Sequence, residues 1–373
     1  MPLFKLYRIS YIIIFLFGIS LSTYGQSQKW PSWATNTDKA IIDLEELKRG
    51  GPPKDGIPSI DNPQFISPDE ARSWIADKEP VIALEYKNVV RAYPLQIMIW
   101  HEIVNDRIDG DPVLVTFCPL CYSALVFDRT VDGEVLEFGI SGFLRHSDLV
   151  MFDRKTETLW QQFTGKAIVG DYVGKTLDQL PSQIISFNQF KKSYPGGLVL
   201  SKDTGYNRDY GKNPYTGYDD INNTPLFGAG NDDGRLPPME KVIGVKLNGK
   251  QKAYPYSLSR KEQVINDEIG NISLLIIHTE GATSALDATQ IAESKASGST
   301  GVFKRTLEGK KLSFAVKDGN IVDEQTRSVW TITGKAIEGK HKGKELKKVT
   351  HGDYFAFAWL VFWPETEIYS TKR

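Results

Sequence analysis

The sequence predicts an α+β, β-rich fold built from two tandem, similar, hairpin-rich domains, the second a degenerate partner of the first. Three observations carry this. From Pro80 the apolar residues recur with a period of two, broken by turn pairs such as Lys87-Asn88 and Asp132-Gly133. Helical patterning is confined to short segments with clear starts and stops. Finally, motifs of the first half return roughly 170 residues later, a period too long for a solenoid.

Taken in order, Ile41 to Arg49 reads as a short helix stopped by Gly50-Gly51-Pro52-Pro53. Ser67-Pro68-Asp69-Glu70 is a helix start: Ser67 as N-cap, Pro68 in the first helical position, Glu70 completing a capping box. That helix should reach about Ala76 and bury Trp74 and Ile75. Val81 to Tyr86 and Val89 to Tyr93 form a hairpin around Lys87-Asn88. Val113 to Phe117 and Ala124 to Phe127 are strands, and Asp132-Gly133 should join Val126-Phe127 to Val135–Phe138. Leu149 to Phe152 and Thr158 to Trp160 make another pair, and a helix from Ser186 to Tyr194 closes the block.

The repeat then begins. Val81-Ile82 with Ala92-Tyr93-Pro94 returns as Val242-Ile243 with Ala253-Tyr254-Pro255, and Val104-Asn105-Asp106 as Ile265-Asn266-Asp267. Val126-Phe127-Asp128-Arg129-Thr130 returns as Val302-Phe303-Lys304-Arg305-Thr306, with Glu308-Gly309 as its hairpin turn. Trp160 with Thr164-Gly165-Lys166-Ala167-Ile168 returns as Trp330 with Thr333-Gly334-Lys335-Ala336-Ile337. The expected layout is a signal segment over 1–25, a helical and loop extension over 26–79, a first repeat domain over 80–202, a connecting strap over 203–238 and a second repeat domain over 239–373. The strap is rich in Tyr, Gly and Asn. So many tyrosines suit an ordered strap across a surface as well as they suit a tether.

The bulk numbers exclude some functions. Lys plus Arg total 45 against 46 acidic residues, so no basic field recruits nucleic acid or an anionic membrane. The basic run Lys335 to Lys348, broken by Glu338 and Glu345, reads as a solvated edge. At the N-terminus, Lys5 and Arg8 precede an apolar stretch from Tyr11 to Leu21 and the small-residue pattern Thr23-Tyr24-Gly25. This is a secretory signal layout with cleavage near Gly25, an uncleaved anchor being the alternative. The mature protein is expected in the periplasm or outside the cell, with no membrane attachment beyond that segment.

Features present in both copies read as scaffold, including Asn105, Asp106, Trp160 and Lys166. Features in one copy are candidates for function. Cys118 and Cys121, the only cysteines, belong to the second class: the other copy has His278-Thr279-Glu280-Gly281 at that point. Their spacing admits three chemistries. A redox couple would have Cys118 attack, Cys121 resolve and His101 stabilise the thiolate. A zinc or copper site would need Cys118, Cys121, His101 and His146 together. A structural disulfide on a non-enzymatic binding module is the third. Glu102, Arg145, His146 and Asp148 are candidate substrate contacts. A redox protein would require a reductant or oxidant partner and a small-molecule or protein thiol substrate.

Gly51-Pro52-Pro53-Lys54-Asp55-Gly56-Ile57-Pro58, Trp100-His101-Glu102-Ile103-Val104-Asn105-Asp106, Cys118-Pro119-Leu120-Cys121 with Ser123-Ala124, Phe127-Asp128-Arg129 and Ser147-Asp148-Leu149 together resemble the bacterial domain-of-unknown-function family 3179. The resemblance covers nearly all of the mature chain. Some members of that family are selenoproteins in the Cys-x-x-Cys region, which implies redox chemistry there, since selenium chiefly improves a nucleophile or leaving group. This chain carries Tyr122 where glycine is frequent, which implies a differently shaped turn. The family implies no substrate and no agreed catalytic residues.

Overall fold

The computed structural model describes residues 33–228 and 233–371, and the expected export segment lies outside them. Strand dominates, with five short α-helices among the described residues, in agreement with a β-rich chain. No helix there is long and apolar enough to cross a membrane.

Pro80–Tyr86 and Val89–Pro94 form the expected hairpin, with Lys87 at φ 53° in the turn. Ser182–Ser186 flanks it on one side and the short strands Leu198–Leu200 and Phe65–Ile66 on the other. Helix Leu95–His101 follows without a linker and buries Leu95, Ile97, Met98 and Ile99. It ends at Glu102, whose left-handed backbone (φ 57°) turns the chain sharply into strand Ile103–Ile108. Strands Ile103–Ile108, Asp111–Cys118 and Ser123–Asp128 then form an antiparallel meander. A second sheet runs Lys48–Arg49, Phe138–Arg145, Asp148–Asp153, Leu159–Gln161, Lys166–Val169.

After the strap the order recurs: hairpin Lys241–Leu247 with Lys250–Pro255, helix Tyr256–Glu262, then strands Val264–Ile269, Ile272–Thr279 and Ser299–Lys304. Side-chain contacts recur with it. Tyr93 Oη donates to Asp106 Oδ2 at 2.6 Å, and Tyr254 Oη to Asp267 Oδ2 at 2.9 Å. Asn105 bridges Phe138 N and O as Asn266 bridges Phe314 N and O. Trp160 Nε1 and Trp330 Nε1 each donate over 3.0 Å to Asp153 and Asp323. Asn105, Asp106 and Trp160 thus satisfy buried polar groups, a scaffold duty.

Several local expectations are corrected. The Ile41–Arg49 segment is one 3-10 turn, Leu44–Glu46, capped by Asp43, and Lys48–Arg49 extends to pair with Phe143–Leu144. Sheet pairing there outweighs helix propensity. The Ser67 capping box forms, but its helix stops at Ala71. Asp132-Gly133 does make a tight turn, between the two-residue strands Thr130–Val131 and Glu134–Val135, while Phe138–Arg145 pairs with Asp148–Asp153. The basic run is only partly solvated: Lys335 and Lys348 both reach Glu85 of the first half.

The main core cluster draws on both halves, with Val115, Phe117 and Cys121 packed in one body with Tyr354, Phe355 and Trp359. Phe355 N donates to Cys121 O at 3.0 Å. The cysteine turn is therefore gripped from both sides of the chain.

Candidate metal centre

Cys118 ends the Asp111–Cys118 strand and pairs with Ser123 across a tight turn, closed by Tyr122 N donating to Pro119 O at 3.2 Å. Tyr122 occupies φ 56°, the left-handed conformation that glycine adopts freely, so the tyrosine keeps the shape a glycine turn would have. Its ring meets the cost by packing against Phe117 and Phe355 and under the Lys241 ammonium, 3.8 Å from the ring centre.

Asp148 arrives from the other sheet. His146 and Ser147, at φ 52° and 62°, form a two-residue hairpin turn between Arg145 and Asp148. This makes Asp148 the first residue of a buried strand. The two sulfurs and an Asp148 carboxylate oxygen lie within 4.8 Å of one another. Among the described residues this is the one such convergence of His, Cys, Asp and Glu atoms. Both cysteines are free thiols, 2% and 0% exposed, and Asp148 is 0% exposed.

The immediate partners of Asp148 are neutral polar groups. Asp148 Oδ2 accepts from Gln161 Nε2 at 2.6 Å and Phe163 N at 2.9 Å. Ser123 Oγ donates to Gln162 Oε1 at 2.8 Å, and Gln162 Nε2 donates to Thr116 Oγ1 at 2.8 Å. Glu102 is buried nearby. Burial, with Asp148 beside it, pushes its carboxyl up to about 8, and burial pushes Asp148 up to about 7. Burial raises both thiols as well, and the neighbouring Asp148 raises each further. No lysine or arginine among the described residues forms an ion pair with Glu102 or Asp148. The two thiols and two carboxyls thus share one interior, with neither carboxyl ion-paired among the described residues.

The family model described as protein of unknown function (DUF3179) matches residues 54–366. The chain belongs to the DUF3179 family. No curated protein and no solved structure matches it.

In this DUF3179 chain the sequence-predicted residues part company. Cys118, Cys121 and Asp148 come together, with Glu102 in electrostatic reach. The two histidines do not join them. His101 Nδ1 lies 2.7 Å from Pro58 O and Nε2 2.6 Å from Tyr210 Oη, so both ring nitrogens are occupied, and burial holds the imidazole below its ordinary range. The ring thus turns to Pro58 and Tyr210, away from the thiolate-stabilising role expected of it. His146 Nε2 sits 3.4 Å from Glu46 Oε2, and Arg145 Nε donates to the same oxygen. The two sulfurs thus lie near a carboxylate and not near the two imidazoles. Sequence reasoning missed Gln161, Gln162 and Phe163. Their signal was available, because Gln161-Gln162-Phe163 stands between Trp160 and Thr164-Gly165 where only Thr331-Ile332 stands between Trp330 and Thr333-Gly334.

The strap is ordered where it meets this centre. Tyr218 Oη donates to Leu120 O at 3.1 Å, and the Tyr215 phenol is raised by burial and by Glu102 and Cys118.

Proposed function

We propose that this DUF3179 chain is a metal-binding protein whose centre consists of Cys118 Sγ, Cys121 Sγ and the Asp148 carboxylate, with zinc as the ion it suits. The observation that carries this is the convergence of those three donors within 4.8 Å in a buried site. A divalent ion would supply the missing charge, and the raised thiols and carboxyls are the expected state of a donor set without it. Two thiolates favour zinc, copper(I) or iron, and a hard carboxylate oxygen tilts that choice toward zinc. Three protein donors leave one tetrahedral position for water or a reactant, the arrangement of reactive rather than purely structural zinc sites. Gln161 and Phe163 N would orient the Asp148 ligand from behind.

The second reading is a thiol–disulfide couple, favoured by the mutual approach of the sulfurs. Burial and two neighbouring carboxyls oppose it, since the thiolate is the nucleophile and both make it costlier. Export belongs to this proposal on the N-terminal layout, and so does an internal duplication, supported by the paired Tyr–Asp, Asn–Phe and Trp–Asp contacts.

Elemental analysis of protein purified without a histidine tag tests the centre. About one zinc per chain is expected, lost in Cys118→Ala and in Asp148→Ala while the fold persists. A metal-free chain under reducing conditions, able to cycle Cys118 and Cys121 through a disulfide, would overturn it in favour of the couple.

A further inference from the structure

The sulfurs are sealed, so whatever meets them must first displace something, and the strap is the element in the way. It touches each of the three segments that build the centre. At the Glu102 segment, Tyr210 Oη lies 2.6 Å from His101 Nε2, and the His101 ring packs against Tyr206 and Tyr210. At the cysteine turn, Tyr218 Oη donates to Leu120 O at 3.1 Å and accepts from Leu226 N at 3.3 Å. At the Asp148 hairpin, Ser147 Oγ donates to Leu226 O. Between these tethers Tyr215 is partly buried, packed against the main core cluster.

The strap also exposes large apolar side chains. Tyr206, Ile221, Leu226 and Phe227 are 46%, 43%, 46% and 49% exposed, which is unusual for large apolar side chains so near a sealed centre. The strap has no strand ladder over Asp203 to Phe227; it is held by turns, the isolated bridge Lys212–Gln290, a Gly217 N bond to Asp287 O, and the buried Asp219 carboxylate paired with Lys241 and Lys295. Lacking a ladder, such a segment opens at lower free energy than the sheets beneath it.

We infer that residues 203–227 are a gate over the Cys118–Cys121–Asp148 centre, closed by the hydroxyls of Tyr218 and Ser147, and that opening of this gate limits access to the sulfurs. The inference rests on the buried sulfur pair and extends the metal reading to how an ion or reactant enters. Each closing tether is a single side-chain hydrogen bond, so removing one should raise the open population about three- to tenfold.

The test is the rate at which iodoacetamide labels Cys118 and Cys121 in the full, reduced, metal-stripped chain, read by mass spectrometry. Wild type should label far more slowly than the urea-unfolded chain. Tyr218→Phe and Ser147→Ala should each label about three- to tenfold faster, with global stability to urea followed in parallel. Ile321→Val, a core change in the second half away from the strap, supplies a control of general destabilisation and should label at the wild-type rate. Equal rates in wild type and both strap variants, or an equal gain in Ile321→Val, would overturn the gate. A second arm follows transfer of zinc from the loaded chain to a chelator, where the strap variants should release faster. If no zinc loads, the metal reading fails while the labelling arm still decides the gate.

Discussion

The first-half meander and the second-half meander place the same strands in the same register and then differ at three points. Cys118 pairs with Ser123 across Pro119 to Tyr122, whereas Thr279 pairs with Ser299 across the long excursion Glu280 to Gly298. Glu102 and Gln263 both end their helices in a positive-φ conformation, but only the first carries an acid. The strand facing Trp160 runs back to Asp148, while its counterpart facing Trp330 starts at Asn320 after an exposed Asp318-Gly319 turn. Thiols, glutamate and aspartate thus sit at these points only in the first half. The difference teaches that the chemistry sits in turns and strand tips, where substitution costs the sheet least.

The largest break in that comparison is the loss of a donor. Removing either thiol or Asp148 should cost metal affinity by orders of magnitude, while Thr279→Ala in the second half should leave metal content unchanged. Equal zinc content in Cys118→Ala and wild type would erase the distinction between the halves.

Glu102→Gln gives the first half the residue the second half already has. In the metal-stripped chain the Glu102 carboxyl is raised to about 8 by burial, so the folded state holds its proton more tightly than the unfolded state does. The native state then binds more protons between the ordinary glutamate range and about pH 8, and stability falls as pH rises through that window. Glu102→Gln should remove much of this fall, stabilising the stripped chain at alkaline pH by on the order of a few kcal/mol. The second half has the opposite sensitivity. Burial lowers His278 to about 4, so its contribution is complete above the ordinary histidine range and lost as pH falls toward 4. Urea unfolding of wild type, Glu102→Gln and His278→Gln across pH 4 to 9 checks both limbs. A variant curve parallel to wild type refutes the limb it removes.

What was legible in the sequence divides along the same line. The duplicated contacts left repeated letters, so Tyr93 with Asp106 and Trp160 could be read as scaffold without coordinates. Turn chemistry was legible too, in Lys87-Asn88 and Glu308-Gly309. The centre was half legible: Cys118 and Cys121 stood out as unrepeated, but the partner was assigned to histidine because imidazole is the commoner metal and thiolate companion. That Asp148 meets the sulfurs depends on a hairpin turn at His146-Ser147, whose residues do not spell a tight turn, and on a strand of another sheet reaching the cysteine turn. Neither is encoded locally. The strap's tyrosines were visible by composition, but their targets, His101 and Leu120 O, are set by long-range packing.

A middle-sized effect tests the scaffold side. Asp153→Asn and Asp323→Asn each leave a buried tryptophan N–H and a threonine turn with a poorer acceptor. Each should cost about 1–3 kcal/mol in urea unfolding. The two costs should agree within about 0.5 kcal/mol. A large disparity would mean that the matching geometry carries unequal loads.

The smallest effect concerns what joins the halves. Glu85 receives Lys335 and Lys348 from the second half, and Tyr194 Oη donates to it at 3.0 Å. Glu85 is about a quarter exposed on its side chain, so solvent screens these pairs and burial opposes the stabilisation they provide. The favourable pairing still wins, since the Glu85 carboxyl lies below its ordinary value despite burial. Glu85→Gln should therefore cost no more than about 1 kcal/mol, diminishing with added salt. Unfolding should stay a single transition, because the apolar cluster shared by Phe117, Tyr354 and Phe355 binds the halves more strongly than these charges. Two resolved transitions in Glu85→Gln would show the opposite, that the ion pairs couple the halves and the shared core does not.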